Sequence, residues 1–370
     1  MRLNLRTSAV GDPRPAAGST TLLLEGVRAQ YGPVVALEQL SMTVTRGEIV
    51  CVLGPSGSGK STLLRLIAGV DRPSAGRIAV DGIDVAGPTG FVEPEARRIG
   101  MVFQDYALFP HLTIADNVAF GIRGARRDDV RRQVAALLER LGLERFARSY
   151  PHMLSGGERQ RVALARAMAP GPRVLLMDEP FSSLDVRLRE DVRRYTLDYL
   201  RDTGTTTVIV THDPDEAMRM ADRIALLQRG RLIQYGPPDE IYSHPVSLFA
   251  ARLVGDVNVL HGICSHGVID TPLGRFPAAQ LDEGVAAQVC VRPEHVRLAV
   301  HPAVAHGRVI DRTRLGEIEQ LRLAVSGVDL PVIVRVFGRT GTVPGAHVAL
   351  DILPEDALVL PDDADLPNHL

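Results

Sequence analysis

Short continuous apolar runs alternate with helical patterns through the first two thirds of the chain. Ile49-Val50-Cys51-Val52-Leu53, Val174-Leu175-Leu176-Met177 and Thr207-Val208-Ile209-Val210-Thr211 each read as a buried strand. Leu63, Leu64 and Ile67 recur at helical spacing and are closed by Gly69. Val130, Val134, Leu137, Leu138 and Leu141 share one helical face, with Asp128 as a cap and Gly142 as a stop. Leu184, Leu188, Val192, Tyr195 and Tyr199 predict another helix, closed by Gly204. Asp213 and Glu216 predict the cap of a further one, with Pro214 in its first turn. Strand patterns also run from Leu22 to Val27, resume from Leu37 to Thr45 after a turn at Tyr31-Gly32, and recur at 77–80 and 99–103. Strands alternating with helices predict an α/β domain built on a parallel sheet.

Around Gly255 the pattern changes. From Val257 onward, short β-type runs alternate with Gly/Pro turns: 286–291, 308–311, 318–325, 332–337 and 347–352. They predict a small all-β barrel or sandwich. The resulting division is a loose tail over 1–20, an α/β domain over 21–255, a β domain over 256–360 and an acidic tail over 361–370. No repeat of fixed period is present.

Composition narrows the class. The length of 370 residues fits two domains, and 45% apolar content suffices for real cores. A net charge of −2 argues against nucleic acid as the main partner. No apolar run approaches the roughly 20 residues that span a bilayer. Met1 to Thr20 carries arginines without a continuous apolar stretch, unlike a secretory signal. Cys51, Cys264 and Cys290 show no metal-ligand spacing and suit a reducing cytoplasm.

The chemistry centres on Gly54-Pro55-Ser56-Gly57-Ser58-Gly59-Lys60-Ser61-Thr62, which fits G-x-x-x-x-G-K-[ST] between a strand and a helix. Glycines let the backbone wrap an anion with N–H groups pointing inward, and the helix start adds its own free donors. Lys60 would reach the terminal phosphates of a nucleotide, and the Ser61 hydroxyl would take a Mg²⁺ position. Of 42 basic residues, Lys60 is the only lysine. A compact ammonium fits between two phosphates where a planar guanidinium fork does not.

Other candidates gather around this loop. Asp178-Glu179-Pro180 ends an apolar strand, at the edge where open α/β sheets bind ligands. Asp178 would hold Mg²⁺ directly or through water, and Glu179 would act as general base toward an attacking water. His212 ends another strand on the same edge. Ser155 and Glu158 form an S-x-x-E capping box, and Gly156 and Gly157 leave bare N–H groups there, a second anion site. Tyr31, on a turn ahead of the loop, suits either adenine stacking or an ordinary half-buried turn. Leu108-Phe109-Pro110 reads as core or as an exposed docking edge.

In this order, the stretches from Leu22 to Gly255 resemble the ATP-binding cassette family of phosphate-loop NTPases, whose α/β fold carries a helical subdomain, here about 105–168. The tail containing Val291-Arg292-Pro293-Glu294-His295 is similar to the OB-like C-terminal domain called TOBE, found in many bacterial importer ATPases. The resemblance implies ATP and Mg²⁺ as cofactors and further roles for single residues. Tyr31 would stack on adenine. Gln104 would sense Mg²⁺ and the membrane partner. Ser155, Gly156 and Gly157 would contact the γ-phosphate held by a second copy, with Asp185 across the same interface. His212 would steady the γ-phosphate.

The implied assembly is a dimer of this chain with two ATP at the seam. It would sit on the cytoplasmic face of the inner membrane and drive two separate permease subunits, served by a solute-binding protein. The run Arg98 to His111 looks most like ferric-iron and polyamine importers, with iron preferred; sulfate, phosphonate and sugar systems are also related. Non-transport cassette ATPases carry a second cassette, coiled coils or zinc-bearing insertions, and none is present in this sequence. A ligand-sensing module with secondary ATPase activity is the other rival, and the Asp178-Glu179 pair argues for real hydrolysis.

Lys60→Arg should cut ATP turnover on the order of 100-fold despite equal charge, measured as phosphate release.

Overall fold

Strands buried on both faces must be apolar throughout, and the three continuous runs become neighbouring parallel strands at the centre of a six-stranded sheet. The computed structural model describes residues 19–299 and 305–362; most of both expected tails falls outside them. The chain divides into two compact units, the first ending at Leu232 and the second beginning at Ile233.

The α/β part opens with β1 (Thr20–Tyr31), β2 (Val34–Thr45), β3 (Ile49–Leu53), α1 (Lys60–Ala68), β4 (Ala75–Val80), β5 (Ile83–Gly87), β6 (Gly90–Phe91) and β7 (Ile99–Val102). Three helices follow, α2 (Ile114–Ala119), α3 (Arg127–Arg140) and α4 (Gly156–Met168). Then come β8 (Val174–Asp178), α5 (Val186–Thr203), β9 (Thr206–Thr211), α6 (Pro214–Met220), β10 (Arg223–Gln228) and β11 (Arg231–Gly236). One sheet has the order β2-β1-β4-β5-β6 and the other β11-β10-β3-β9-β8-β7.

Helix ends follow local chemistry, with one correction. Asp128 does not cap α3: the cap position is Arg126, and Asp128 and Asp129 sit in the first turn, where their charge suits the helix dipole. α1 has a firmer end. Gly69 closes it at φ +84°, and Arg97 reaches over from 30 residues away. Its Nη1 donates to Leu66 O and Ile67 O at 2.8 Å, and its Nε to Val92 O at 2.8 Å. These bonds satisfy carbonyls that a helix terminus leaves open. Burial pushes the Arg97 pKa down to about 10.

In the second unit, α7 (Pro238–Ser243) and α8 (Leu248–Leu253) precede β12 (Asn258–Ser265), β13 (Val268–Thr271), β14 (Gly274–Pro277), β15 (Ala286–Val291), β16 (Arg297–Ala299), β17 (Ala305–Leu315), β18 (Ile318–Val325), β19 (Val332–Phe337), β20 (His347–Asp351) and β21 (Ala357–Pro361). They form two five-stranded sheets, β14-β13-β12-β15-β21 and β16-β20-β17-β18-β19. Phe276, Val289 and Val291 from the first and Leu321, Leu323 and Val334 from the second share one apolar core, so the expected all-β domain is present. Among the described residues, no helix is long and apolar enough to cross a membrane.

Arg97→Ala would remove the guanidinium donor from the Leu66, Ile67 and Val92 carbonyls, of which Leu66 O keeps the Gly69 N–H at 3.2 Å. It should lower stability by about 3 kcal/mol, read from the urea midpoint of the α/β unit.

Candidate active site

Parallel register decides which residues meet. Leu53 lies beside Thr211, and Val210 beside Asp178, so β3, β9 and β8 end side by side. β7 pairs with β8 through Val102 and Met177. The loop after β3, His212 after β9, Glu179 after β8 and Gln104 after β7 therefore leave the sheet at one edge, where such folds bind ligands.

The loop needs its glycines. A Cβ on Gly54 would stand 2.3 Å from Leu227 O, and one on Gly59, at φ +104°, would stand 2.5 Å from Ala36 O. Lys60 is only 6% exposed. Its Nζ donates to Gly54 O at 2.7 Å and to Pro55 O at 2.9 Å. Burial lowers the Lys60 pKa, and the charges of Glu179 and Asp178 work against that shift. Ser61 Oγ donates to Asp178 Oδ1 at 3.4 Å, while Ser56, Gly57 and Ser61 stay exposed at the mouth. Burial raises the Asp178 carboxyl above its usual range, against the Ser61 hydrogen bond.

Glu179 sits in left-handed backbone at φ +42°, with its N–H bonded to Val210 O at 2.9 Å. His212 Nδ1 lies 3.1 Å from Glu179 Oε2. Asp213 Oδ1 caps α6, accepting from the Asp215 and Glu216 N–H groups, but the Glu216 side chain does not close the cap. It accepts from Thr211 Oγ1 at 2.7 Å, and the same hydroxyl accepts from Asp213 N–H at 3.0 Å, which pins the turn carrying His212. Gln104 is placed differently: its Nε2 donates to Ser182 Oγ at 3.3 Å, and Ser182 Oγ donates to Glu179 O at 2.9 Å.

Ser155, Gly156, Gly157 and Asp185 form a second cluster. The capping box is present: Ser155 Oγ donates to Glu158 Oε2 at 2.8 Å and accepts from Glu158 N–H at 3.4 Å. Although burial opposes it, the bonds from Ser155 and the Arg145 charge hold the Glu158 carboxyl below its usual range. The glycines have a packing role as well. A Cβ on Gly157 would meet Val192 Cγ2 at 2.8 Å, and one on Gly156 would meet Leu184 Cδ2 at 3.0 Å. Asp185 Oδ1 caps α5 through Leu188 N–H at 3.0 Å. Tyr31 stands apart from both clusters with its side chain half exposed, its hydroxyl bonded to Asp71.

Sequence reasoning missed the partners of the strand ends. Tyr106 is buried at φ +64°, and its hydroxyl lies 2.6 Å from Ser183 Oγ. Arg166 holds the Tyr106 and Ala107 carbonyls at 3.0 and 2.7 Å. Arg166 also lines a groove of about 850 Å³ with Phe103, Phe109 and Phe120. Phe109 packs on Phe120 at 4.4 Å between ring centroids, and buried Asn117 bonds both Phe109 N–H and Phe109 O. The Leu108-Phe109-Pro110 stretch is thus a partly exposed edge beside a groove.

A phosphate loop, an acidic pair and a histidine on one edge of a parallel sheet define a nucleoside triphosphatase. Residues 37–182 match the ABC transporter family, and residues 289–360 match the TOBE domain. The Fe(3+) ions import ATP-binding protein FbpC of Serratia marcescens is 38% identical over 90% of this chain and 97% of its own length. The putrescine transport ATP-binding protein PotG of Escherichia coli is 41% identical over 83% of this chain and 86% of its own. The sulfate/thiosulfate import ATP-binding protein CysA 2 of Rhizobium meliloti is 45% identical over 74% and 76%. Among solved structures, cbiO1 of Clostridium perfringens, part of the ABC transporter complex cbiONQ, superposes with a TM-score of 0.56 at 32% identity, covering 61% of this chain and 91% of its own. The dimeric ATP-binding cassette MJ0796 bound to ADP and Pi gives 0.52 at 35% identity, covering 59% and 98%. The chain belongs to the ATP-binding cassette family, as an importer ATPase with a C-terminal TOBE domain. It hydrolyses ATP to ADP and phosphate, coupled to transport.

Glu179→Gln should still bind ATP but lower steady-state phosphate release by about 100- to 10,000-fold, the usual worth of a general base.

Proposed function

We propose that this ATPase powers the uptake of ferric iron through two separate membrane subunits. The observation that carries the mechanism is the convergence of Lys60, Ser61, Asp178, Glu179 and His212 at one sheet edge. The cargo reading is supported by four relatives named as Fe(3+) import proteins, 38–42% identical over 90% of this chain and 96–97% of their own lengths. Putrescine is the second reading, supported by the 41% identity to PotG.

In this mechanism the N–H groups of Ser56, Gly57 and Gly59 and the start of α1 grip the phosphates, with Gly54, Pro55, Ser58 and Thr62 shaping the loop. Lys60 exchanges its two carbonyl partners for phosphate oxygens. The Ser61 hydroxyl and the Asp178 carboxylate converge as hard oxygen donors, a set that fits Mg²⁺ with phosphate and water completing its shell. Ser61 and Asp178 would hold the ion, with Gln104 as a third contact, and it supplies charge neutralisation across the phosphates. Glu179 takes a proton from water as the water oxygen bonds to the γ-phosphorus. The bond to the ADP oxygen breaks, leaving ADP and phosphate, with the proton on Glu179. His212, whose Nδ1 lies 3.1 Å from Glu179 Oε2, orients that carboxylate and steadies the phosphoryl oxygens.

The second cluster addresses a nucleotide held by another copy of the chain. Ser155, Gly156 and Gly157 offer a positive helix end to its γ-phosphate, and Asp185 lies at the same seam. ATP closes this pair, and hydrolysis removes the charge that bridged it. We assign the groove lined by Phe103, Phe109 and Phe120 to the membrane subunits, a reading that goes with a peripheral position on the cytoplasmic face of the inner membrane. A solute-binding protein acts through those subunits.

The test reconstitutes this ATPase with its membrane subunits and measures ATP turnover. Binding proteins loaded with ferric iron, putrescine or sulfate are added in turn. Stimulation by the iron-loaded protein alone is expected. Stimulation by the putrescine-loaded protein alone would transfer the cargo, and no response to any binding protein would refute coupling to import.

A further inference from the structure

Tyr31 is not a free aromatic. Its hydroxyl donates to Asp71 Oδ2 at 2.5 Å. Asp71 in turn accepts from Arg65, Nε to Oδ2 at 2.8 Å and Nη2 to Oδ1 at 3.0 Å. This is a two-pronged guanidinium–carboxylate fork, whose planar geometry fixes orientation as well as distance. The Asp71 N–H also bonds to Arg65 O at 3.3 Å, so backbone and side chain of Asp71 are both anchored on Arg65. Arg65 belongs to the last turn of α1, the helix that starts at Lys60. Arg65 lies five residues after Lys60, and at about 1.5 Å per residue the helix between them is a rigid spacer of about 7.5 Å. One end meets the phosphate loop and the other holds the Tyr31 ring.

Two backbone contacts fix the strand that carries Tyr31. Gln30 N–H bonds to Ser74 Oγ at 3.0 Å, and Ser74 N–H bonds to Arg28 O at 2.7 Å. They leave the rotation of the ring unconstrained, and the phenol–carboxylate bond supplies that constraint. The residue remains 48% exposed, which leaves ring surface for stacking. The fork from Arg65 holds the Asp71 carboxyl below its usual range, and burial together with Asp71 pushes the Tyr31 phenol up to about 12. Both groups thus keep the protonation the contact needs at neutral pH.

We propose that Asp71 and Arg65 are positioning residues for the base end of the nucleotide site: they lock the Tyr31 ring at a set distance from the phosphate loop and so raise affinity for the base, not for the phosphates. The inference rests on Tyr31 being the adenine platform. A ring locked before ATP arrives loses less rotamer freedom on stacking than a free one.

The test measures KM for ATP in the full-length protein, together with inhibition by inorganic tripolyphosphate, which has no base. Asp71→Ala should raise KM about fivefold, with kcat and the tripolyphosphate inhibition constant within twofold of the parent. Tyr31→Phe keeps the ring but loses the bond, and should raise KM by the same factor. The double variant should be no worse than either single one, because both remove one contact. Asp71→Glu should recover part of the loss. Tyr31→Ala serves as the control for the platform itself. If Tyr31→Ala leaves KM unchanged, the adenine reading falls and this inference falls with it. If Tyr31→Ala raises KM while Tyr31→Phe and Asp71→Ala do not, the platform stands and the lock is refuted. An equal loss of tripolyphosphate inhibition in Asp71→Ala would also overturn it, since the defect would then lie in α1.

Discussion

A buried ammonium facing two carboxylates is the interaction around which the α/β unit is arranged. Lys60 alone would be costly to bury, and so would Asp178 or Glu179. Their attraction offsets part of that cost, but burial prevails: it lowers the Lys60 pKa and raises that of Asp178, each against the pull of the opposite charge. The arrangement exists only because β3 and β8 flank β9 in register, so that loop and acids leave the sheet side by side. The glycines that admit close backbone, and the Arg97 guanidinium that finishes α1, serve the same end. They keep the ammonium at the mouth of the loop, where it can serve as counter-charge to a polyphosphate.

The centre of this fold was legible because its physics is local. Buried parallel strands must be apolar throughout, so β3, β8 and β9 announce themselves, and the glycine-rich turn between β3 and α1 has little other use. The candidate site was legible to the same depth, since each of its residues directly follows such a strand or starts a helix. What sequence reading passed over is set by pairing partners outside the segment itself. β10 is a short apolar run that periodicity alone does not separate from a helix, and it becomes a strand by pairing with β3. β13 and β14 have four residues each and owe their form to one another. Glu216 carried a helix-cap signal, yet a buried threonine hydroxyl one strand end away outcompeted the cap.

Contacts between residues far apart in sequence also join the groove to the acidic strand end. Arg166 lines the groove and holds the carbonyls of Tyr106 and Ala107, two residues in left-handed backbone. Tyr106 touches Ser183, and the neighbouring Ser182 joins Gln104 to the Glu179 carbonyl. Hydrogen bonds rather than loose packing thus connect the phenylalanine edge to the backbone that carries the proposed base. Residues 77 and 78 positions apart make these contacts, which is why no local pattern signals them.

The left-handed backbone at Glu179 has an evolutionary corollary. A side chain with a Cβ gives up on the order of 1 kcal/mol in that conformation, and glycine or asparagine would relieve it. Thermostability alone would therefore favour replacing the carboxylate proposed as the general base. A screen of random variants for heat resistance, blind to turnover, would drift toward sturdier proteins that grip ATP and never let it go.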